Sequence, residues 1–412
     1  MRFLHLADLH FGKVIHGVSL LENGDQSVWT DRFLERTDAL HPDAVVIAGD
    51  VYDRSAPSGD AVELLSRLLT GLSDRGIPVM MVAGNHDSAQ RLAFAGELLS
   101  RQGVNISRPL FESPELRHVT LPDKDGPVTF WLMPYVYPAL IAEMLGEETR
   151  DYNAAVRALL SRQELDPSSR HVLIAHQNVV ANGVEGERGG SESMVGGVGQ
   201  IDYRCFDAFD YVALGHIHAA YAVGRPGVRY AGSPLCYHFN ETHQPCKGPI
   251  LVDLGAKGTE PKVEVQYIEP LHPMRELRGS FEQLRRQELD DPRQNEYLRL
   301  VLTDRRLSPE ISAFFEDLFR ARGSVLMERC SEYDPFRGEV GAPGAEAVRE
   351  KSLAELFGDF YADRGGVEPT DADRELLAFA GEIAHSADVH AAPTAAQIGR
   401  LLDFITRQEE RA

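Results

Sequence analysis

The sequence predicts an α/β chain: a sandwich of mixed β-sheets flanked by helices, then a small α+β unit and terminal helices. Two observations carry this reading. Through residue 270, short apolar runs alternate with amphipathic stretches, the pattern of a layered α/β fold. The later apolar runs of that region lack helices between them, which calls for a mixed sheet or a second packed sheet.

Taken in order, Arg2–Ala7, Ala44–Ala48, Val79–Ala83, His171–Ala175 and Tyr211–Leu214 read as buried strands. Ala61–Leu72 and Gln90–Leu99 between them have helical spacing. Val128–Met133, Val228–Ala231, Ile250–Leu254 and Val263–Ile268 supply the remaining strands. The segment from Val180 to Gln200 holds seven glycines and reads as a long mobile loop. The main domain is expected over 1–270, and a second unit over 271–335. In the latter, Met274–Arg278, Tyr297–Leu302 and Ser324–Glu328 read as strands, with helices at Glu282–Gln287 and Pro309–Arg320. A linker is expected at 336–348. Helices follow over 349–412, where Ile398, Leu401, Leu402 and Ile405 fall at helical spacing behind a Thr394-x-x-Gln397 capping box.

Composition sets further bounds. The 412 residues are 43% hydrophobic and 25% charged, ordinary for a soluble protein of two or three folding units. No stretch approaches the ~18 apolar residues of a membrane span. The start, MRFLHLADLH, has His and Asp where a signal peptide needs an apolar core, so a cytoplasmic location is expected. Cys205, Cys236, Cys246 and Cys330 form no C-x-x-C pair and read as packing residues of a reducing compartment. Net charge is −21, and residues 332–412 carry −9 of it, with 8 Lys and Arg against 17 Asp and Glu. Such a chain is a poor stand-alone phosphate-backbone binder. Its acidic end is either a solvated surface or a docking site for a protein partner.

The chemistry lies where the strands stop. Five apolar runs end in groups able to bind metal: Asp8-x-His10, Gly49-Asp50-x-x-Asp53, Gly84-Asn85-His86-Asp87, His176, and Gly215-His216-x-His218. Sites in layered α/β folds form outside the carboxyl ends of strands, so groups far apart in sequence can converge there. Imidazole, carboxylate and amide oxygen together suit Mn, Fe or Zn, whereas pure oxygen would favour Mg or Ca. Two ions about 3.5–4 Å apart need a bridging carboxylate, and Asp50 is the best placed. Singly, each group has a plainer reading: Gly-Asn-His-Asp as a turn, Asp87 as a helix cap, Asp53 as a surface residue. Five in succession, each behind a strand, are hard to assign to turns.

The ordered blocks D-x-H, G-D-x-x-D, G-N-H-[DE], H and G-H-x-H are those of the calcineurin-like metallophosphoesterases, which the chain resembles. RFLHLADLHFGK, GDVYDRSAPS, AHQNVV and YAGSPLCYHFNE narrow the resemblance to the SbcD family of bacterial nuclease subunits. The likeness is dense over 1–255 and weak over the terminal helices. It implies one ion on Asp8, His10, Asp50 and His218, and a second on Asp50, Asn85, His176 and His216. The ions it implies are two divalent metals, Mn2+ by the family's habit. His86 then faces the scissile phosphate, with Asp53 orienting it as a carboxylate–imidazole pair. The family implies a DNA exonuclease and endonuclease of repair, recombination and replication, acting on double-stranded ends, hairpins or single strands. It implies that 271–335 caps the site and that the terminal helices dock on an SbcC-type ATPase. Members commonly dimerise, so a homodimer is open, although no dimer surface is legible. Arg54, Arg91 and Arg188 lie near the site segments and are candidate phosphate contacts, although isolated arginines are ordinarily just solvated.

The rival enzyme reading is a metallophosphodiesterase of the same superfamily acting on a smaller nucleotide or phosphoester. Protein phosphatases show G-D-x-x-D-R-G and G-N-H-E, and here Ser55 and Asp87 depart from both. Small phosphodiesterases generally lack a domain after the last metal histidines, and this chain runs nearly 200 residues past His218. A scaffold with an idle metal site is the reading outside enzymes, and the intact ligand set argues against it.

Overall fold

The structure is a computed structural model, and it describes residues 1–146, 151–181, 183, 199–243, 247–333 and 370. The terminal helices expected over 349–412, the linker, Arg188 and most of the glycine-rich loop lie outside the described residues. Met1–Tyr333 forms one compact unit.

Two six-stranded sheets make its centre. The first runs Lys262–Val265, Ile250–Asp253, Arg2–Leu6, Ala44–Ala48, Val79–Val82, Val104–Ile106 in spatial order. The second runs Ala222–Val223, Arg225–Tyr230, Tyr211–Gly215, Arg170–His176, Val128–Met133, Arg117–Leu121. Four neighbouring strands in each are parallel; antiparallel pairing extends one edge of the first sheet and both edges of the second. Both sheets are therefore mixed, and Ile250–Asp253 joins the first, not the second.

The apolar runs are continuous because both faces of each strand are covered. Phe3, Val46, Met80, Phe130, Val172, Ile174 and Tyr211 fill the layer between the sheets. Alternate residues, such as Leu4, Leu6, Val45 and Ile47, point the other way, onto the helices Asp25–Leu40 and Gly59–Asp74. Leu173, Val212 and Leu214 do the same for the second sheet, packing with Ile141, Val156 and Leu159 of helices Pro138–Leu145 and Tyr152–Leu160. The result is helix, sheet, sheet, helix. Gln90–Leu99 is not one helix. Ala89–Leu92 and Gly96–Ser100 are separate turns because Ala95 takes a left-handed φ of 57°.

Residues 274–331 build a three-stranded parallel sheet, Met274–Gly279, Tyr297–Leu302 and Val325–Ser331. Leu298, Leu300 and Leu302 alternate onto its helices Phe281–Leu289 and Pro309–Arg320, with Phe315 and Phe319 at the centre. Tyr297 points to the opposite face. Its hydroxyl donates to Asp25 (2.7 Å), which His272 also meets at 2.9 Å. Glu328 of the same sheet lies 3.5 Å from His16.

Candidate metal centre

Parallel pairing brings the carboxyl ends of five strands to one edge of the sandwich. Gly215 stands opposite His176 in register, and Asp50 follows the strand that pairs with Arg2–Leu6. The first two loops are then zipped together: Asp8, His10 and Phe11 donate amides to the carbonyls of Gly49, Asp50 and Val51. Among the described residues, eight non-glycines have positive φ, and four of them are Asp8, His10, Asp50 and His216. Left-handed backbone costs such residues about 1–3 kcal/mol each and is kept where function over-determines it.

Side chains from all five loops meet. Asp8, His10 and His218 bring ligand-type atoms within 4.8 Å of one another, and so do Asp8, Asp50 and His176, and His10, Asp50 and His86. The amide oxygen of Asn85 lies 3.1 Å from His176 Nε2 and 3.1 Å from His216 Nδ1. Asp50 Oδ2 faces His176 Nε2 at 3.3 Å and His10 Nε2 at 3.6 Å. Ligand atoms about 2.1 Å from a shared ion and a right angle apart are about 3 Å from each other, the spacing seen.

Two observations test whether these residues suit cations. His10 is buried, yet among the described residues neither ring nitrogen has a hydrogen-bond partner. Asp8 and Asp50 are buried too, and among the described residues no Lys or Arg pairs with either. Two buried carboxylates with no Lys or Arg beside them must draw compensating charge from the histidines or from a bound cation. Burial pushes Asp8 up to about 7. Burial works to raise Asp50 as well, but His176, His10 and His86 hold its carboxyl well below the usual range. Burial works to lower His176, and Asp50 and Asp8 override it, holding the imidazole at about 9. A cluster this acidic and this dry fits divalent metal.

Glycine is required at Gly84: a Cβ there would lie 2.1 Å from Asp50 Oδ1. At Gly49, φ is 85° and a Cβ would strike the His176 ring. These glycines allow the loops to close on one another.

His86 sits at the rim, 41% exposed, with Nε2 3.9 Å from Asp50 Oδ2. Its Nδ1 is 2.9 Å from the main-chain carbonyl of Asp53. The expected carboxylate–imidazole pair is absent: the Asp53 carboxylate turns to Lys13 (2.7 Å) and to His10 Nδ1 (3.6 Å). Asp87 is not a helix cap, since Ser88 caps the short helix that follows. Asp87 instead accepts the amides of Gly84, Val51 and Tyr52, locking two ligand loops together. Arg91 donates to the Ser55 carbonyl, and Arg54 is exposed.

Supporting residues were not among those singled out from the sequence. His218 Nδ1 meets Glu241 Oε1 at 3.2 Å, and Lys247 bridges Glu241, Ser233 and the His218 carbonyl. Tyr237 packs its ring 5.4 Å from both His10 and His218 and donates to the Leu9 carbonyl. Gln26 holds the His10 carbonyl and the Gly12 amide. His176 donates Nδ1 to the Ala48 carbonyl, which leaves Nε2 for the site. The only signal for Tyr237 and Glu241 was their place inside YAGSPLCYHFNE, and Lys247 lies six residues beyond its end.

Residues 1–220 match the calcineurin-like phosphoesterase family. A curated relative from Staphylococcus saprophyticus, named as the D subunit of nuclease SbcCD, is 32% identical over 314 residues, covering 73% of this chain and 78% of that protein. Another of the same name, from Staphylococcus epidermidis, is 29% identical over 313 residues, covering 74% and 79%. A solved structure, TT1561 of Thermus thermophilus, aligns over 64% of this chain and 98% of its own at 13% identity and a TM-score of 0.37, too loose to bear on function. The chain belongs to the calcineurin-like phosphoesterase family and, within it, to the SbcD nuclease subunits.

Proposed function

We propose that this chain is a Mn2+-dependent DNA exonuclease and endonuclease that hydrolyses phosphodiesters with two metal ions. We infer that it works with an SbcC-type ATPase in DNA end processing, repair and recombination. Family membership makes it a metal-dependent phosphodiesterase. The observation that supports the finer reading is the convergence of seven ligand-type residues, with His86 at their open rim.

Asp8, His10, Asp50 and His218 would hold one ion, and Asp50, Asn85, His176 and His216 the other. Asp50 suits the bridge because its Oδ2 already faces imidazoles of both sets. When bound, the ions acidify water and neutralise charge on the phosphate oxygens. Imidazole beside carboxylate and amide oxygen favours Mn2+ over Mg2+. The Asp53 carbonyl keeps the proton of His86 on Nδ1, so Nε2 addresses the substrate. Neutral, Nε2 accepts a proton; protonated, it donates to a phosphate oxygen or to the leaving oxygen.

The sheet over 274–331 caps this edge in the reading proposed, through the Glu328–His16 and Tyr297–Asp25 contacts. With a net charge of −21, firm hold on a DNA backbone is a property of the complex with the ATPase. The deciding assay is cleavage of end-labelled double- and single-stranded DNA with Mn2+, beside His86→Ala and an aryl phosphodiester. DNA degraded by the wild type and spared by the variant supports the reading. Cleavage of the aryl ester alone, with the ATPase subunit also supplied, would assign a smaller substrate.

A further inference from the structure

Beside the imidazoles of the site lies an aromatic shelf. The chain leaves strand Val128–Met133 next to Arg170–His176, and Tyr135 donates its amide to the Ala83 carbonyl, just before the Asn85 loop. The Tyr135 ring centroid stands 6.3 Å from those of His176 and His216. The Tyr152 ring also packs against it, centroids 6.4 Å apart at 70°. Tyr137 packs edge-on against it, centroids 4.8 Å apart at 62°. Tyr137 is 49% exposed although its neighbours Val136 and Ile141 are fully buried.

An exposed tyrosine is ordinarily a surface residue of no consequence. Three things set this one apart. Its backbone is fixed as the residue before Pro138 at the start of a helix. It packs against a second ring, Tyr135, that is itself wedged among Tyr152, His176 and His216. And it lies one ring beyond two candidate metal ligands, where the base of a nucleotide flanking the cut phosphate would reach. A chain of net charge −21 repels a phosphate backbone, and base–aromatic stacking needs no cation and accepts every base.

Resting on the nuclease reading above, we propose that Tyr137, backed by Tyr135, stacks on an unpaired nucleobase next to the scissile phosphate. The shelf thereby favours single-stranded or frayed DNA, since a paired base is not free to leave its own stack.

The test is a cycle of two changes, with the full-length chain and Mn2+. The protein is wild type, Tyr137→Ala or Tyr137→Phe. The substrate is a short single-stranded oligonucleotide, intact or with a tetrahydrofuran abasic residue on either side of the cut. We expect Tyr137→Ala to lower kcat/KM on the intact strand about tenfold, and the abasic residue to lower the wild-type value by a similar factor. The two losses should not multiply, and Tyr137→Phe, which keeps the ring, should follow the wild type. Binding of the same oligonucleotides in Ca2+, read by fluorescence anisotropy, should repeat the pattern. Losses that multiply, or an alanine variant indistinguishable from wild type on the intact strand, would overturn the stacking proposal while leaving the nuclease reading in place. A wild type that cuts no DNA at all, with the ATPase subunit present, would overturn both.

Discussion

The His86 ring is held by the main-chain carbonyl of Asp53, 2.9 Å from Nδ1, while the Asp53 carboxylate binds Lys13 at 2.7 Å and faces His10 Nδ1 at 3.6 Å. One residue thus supports the rim histidine through its backbone and a candidate ligand through its side chain. Substitution separates these roles. Asp53→Asn keeps the carbonyl, so we expect its main effect on metal, with affinity weakened about 10- to 100-fold as for other groups that orient ligands. His86→Ala should bind metal normally and lose about 10²–10⁴-fold in kcat. Calorimetric titration with Mn2+, beside turnover at saturating Mn2+, tells them apart. An Asp53→Asn enzyme with wild-type metal affinity and a His86-like loss of turnover would contradict this division.

His218 depends on a buried chain of partners, Glu241 and then Lys247. Burial works to raise Glu241, but His218 and Lys247 override it, leaving the carboxyl at about 2. Glu241→Gln keeps shape and loses charge, and should weaken Mn2+ binding about 10- to 100-fold with the fold intact. Glu241→Ala leaves the Lys247 ammonium, 10% exposed, without its carboxylate, and should cost about 3–5 kcal/mol in urea unfolding. Wild-type stability in Glu241→Ala would show that the ion pair does not hold the loop.

Asp87 joins two ligand loops through three amides, and Gly84 sits where any side chain would meet Asp50. Gly84→Ala should displace the Asp50 carboxylate and abolish tight binding of at least one ion. Most of the sandwich core is remote from Gly84, so the far-ultraviolet circular dichroism should be unchanged. Asp87→Ala strands three amides at about 1–3 kcal/mol each and should lower the melting temperature as well. Metal content by mass spectrometry under native conditions reads the first, and a thermal melt the second. An alanine at 84 with both ions bound would mean that the loop shifts at little cost.

The candidate ligand positions stood out because Asp50, Asn85 and His216 each follow a glycine that ends an apolar run, while Asp8, His10, His176 and His218 are polar groups at or just past the end of one. Parallel pairing then makes convergence a consequence of topology. The supporting residues were not legible, for a physical reason. Glu241, Lys247, Tyr237, Gln26 and Asp87 act through bonds to backbone or to side chains, often far away in sequence, and nothing in their own neighbourhood marks such a partner. Asp53 shows the same limit from the other side: its position near His86 could be read, but not which of its oxygens does the work. The break at Ala95 was hidden because an alanine carries no sign of left-handed backbone. His5 and His10 look alike in sequence, one on a strand and one past its end, and only packing tells them apart.

His5 lies in the layer between the sheets, fully buried, with Nδ1 3.0 Å from the Tyr211 hydroxyl and Nε2 3.2 Å from the Leu214 carbonyl. Burial, then the Arg229 charge, pushes its imidazole down to about 3 from an ordinary 6.5. The folded state therefore holds the neutral ring where the unfolded chain takes a proton. Its contribution to stability is complete above pH 6.5 and is lost as pH falls from there toward 3, at up to about 1.4 kcal/mol per pH unit. His5→Gln can still donate to Leu214 and accept from Tyr211 but does not titrate. Urea unfolding between pH 7 and pH 4.5 should show a shallower loss of stability in the variant than in the wild type, whatever the substitution costs at pH 7. Parallel pH profiles for the two proteins would mean that His5 is protonated in the folded state, and that a layer this dry accepts a charge.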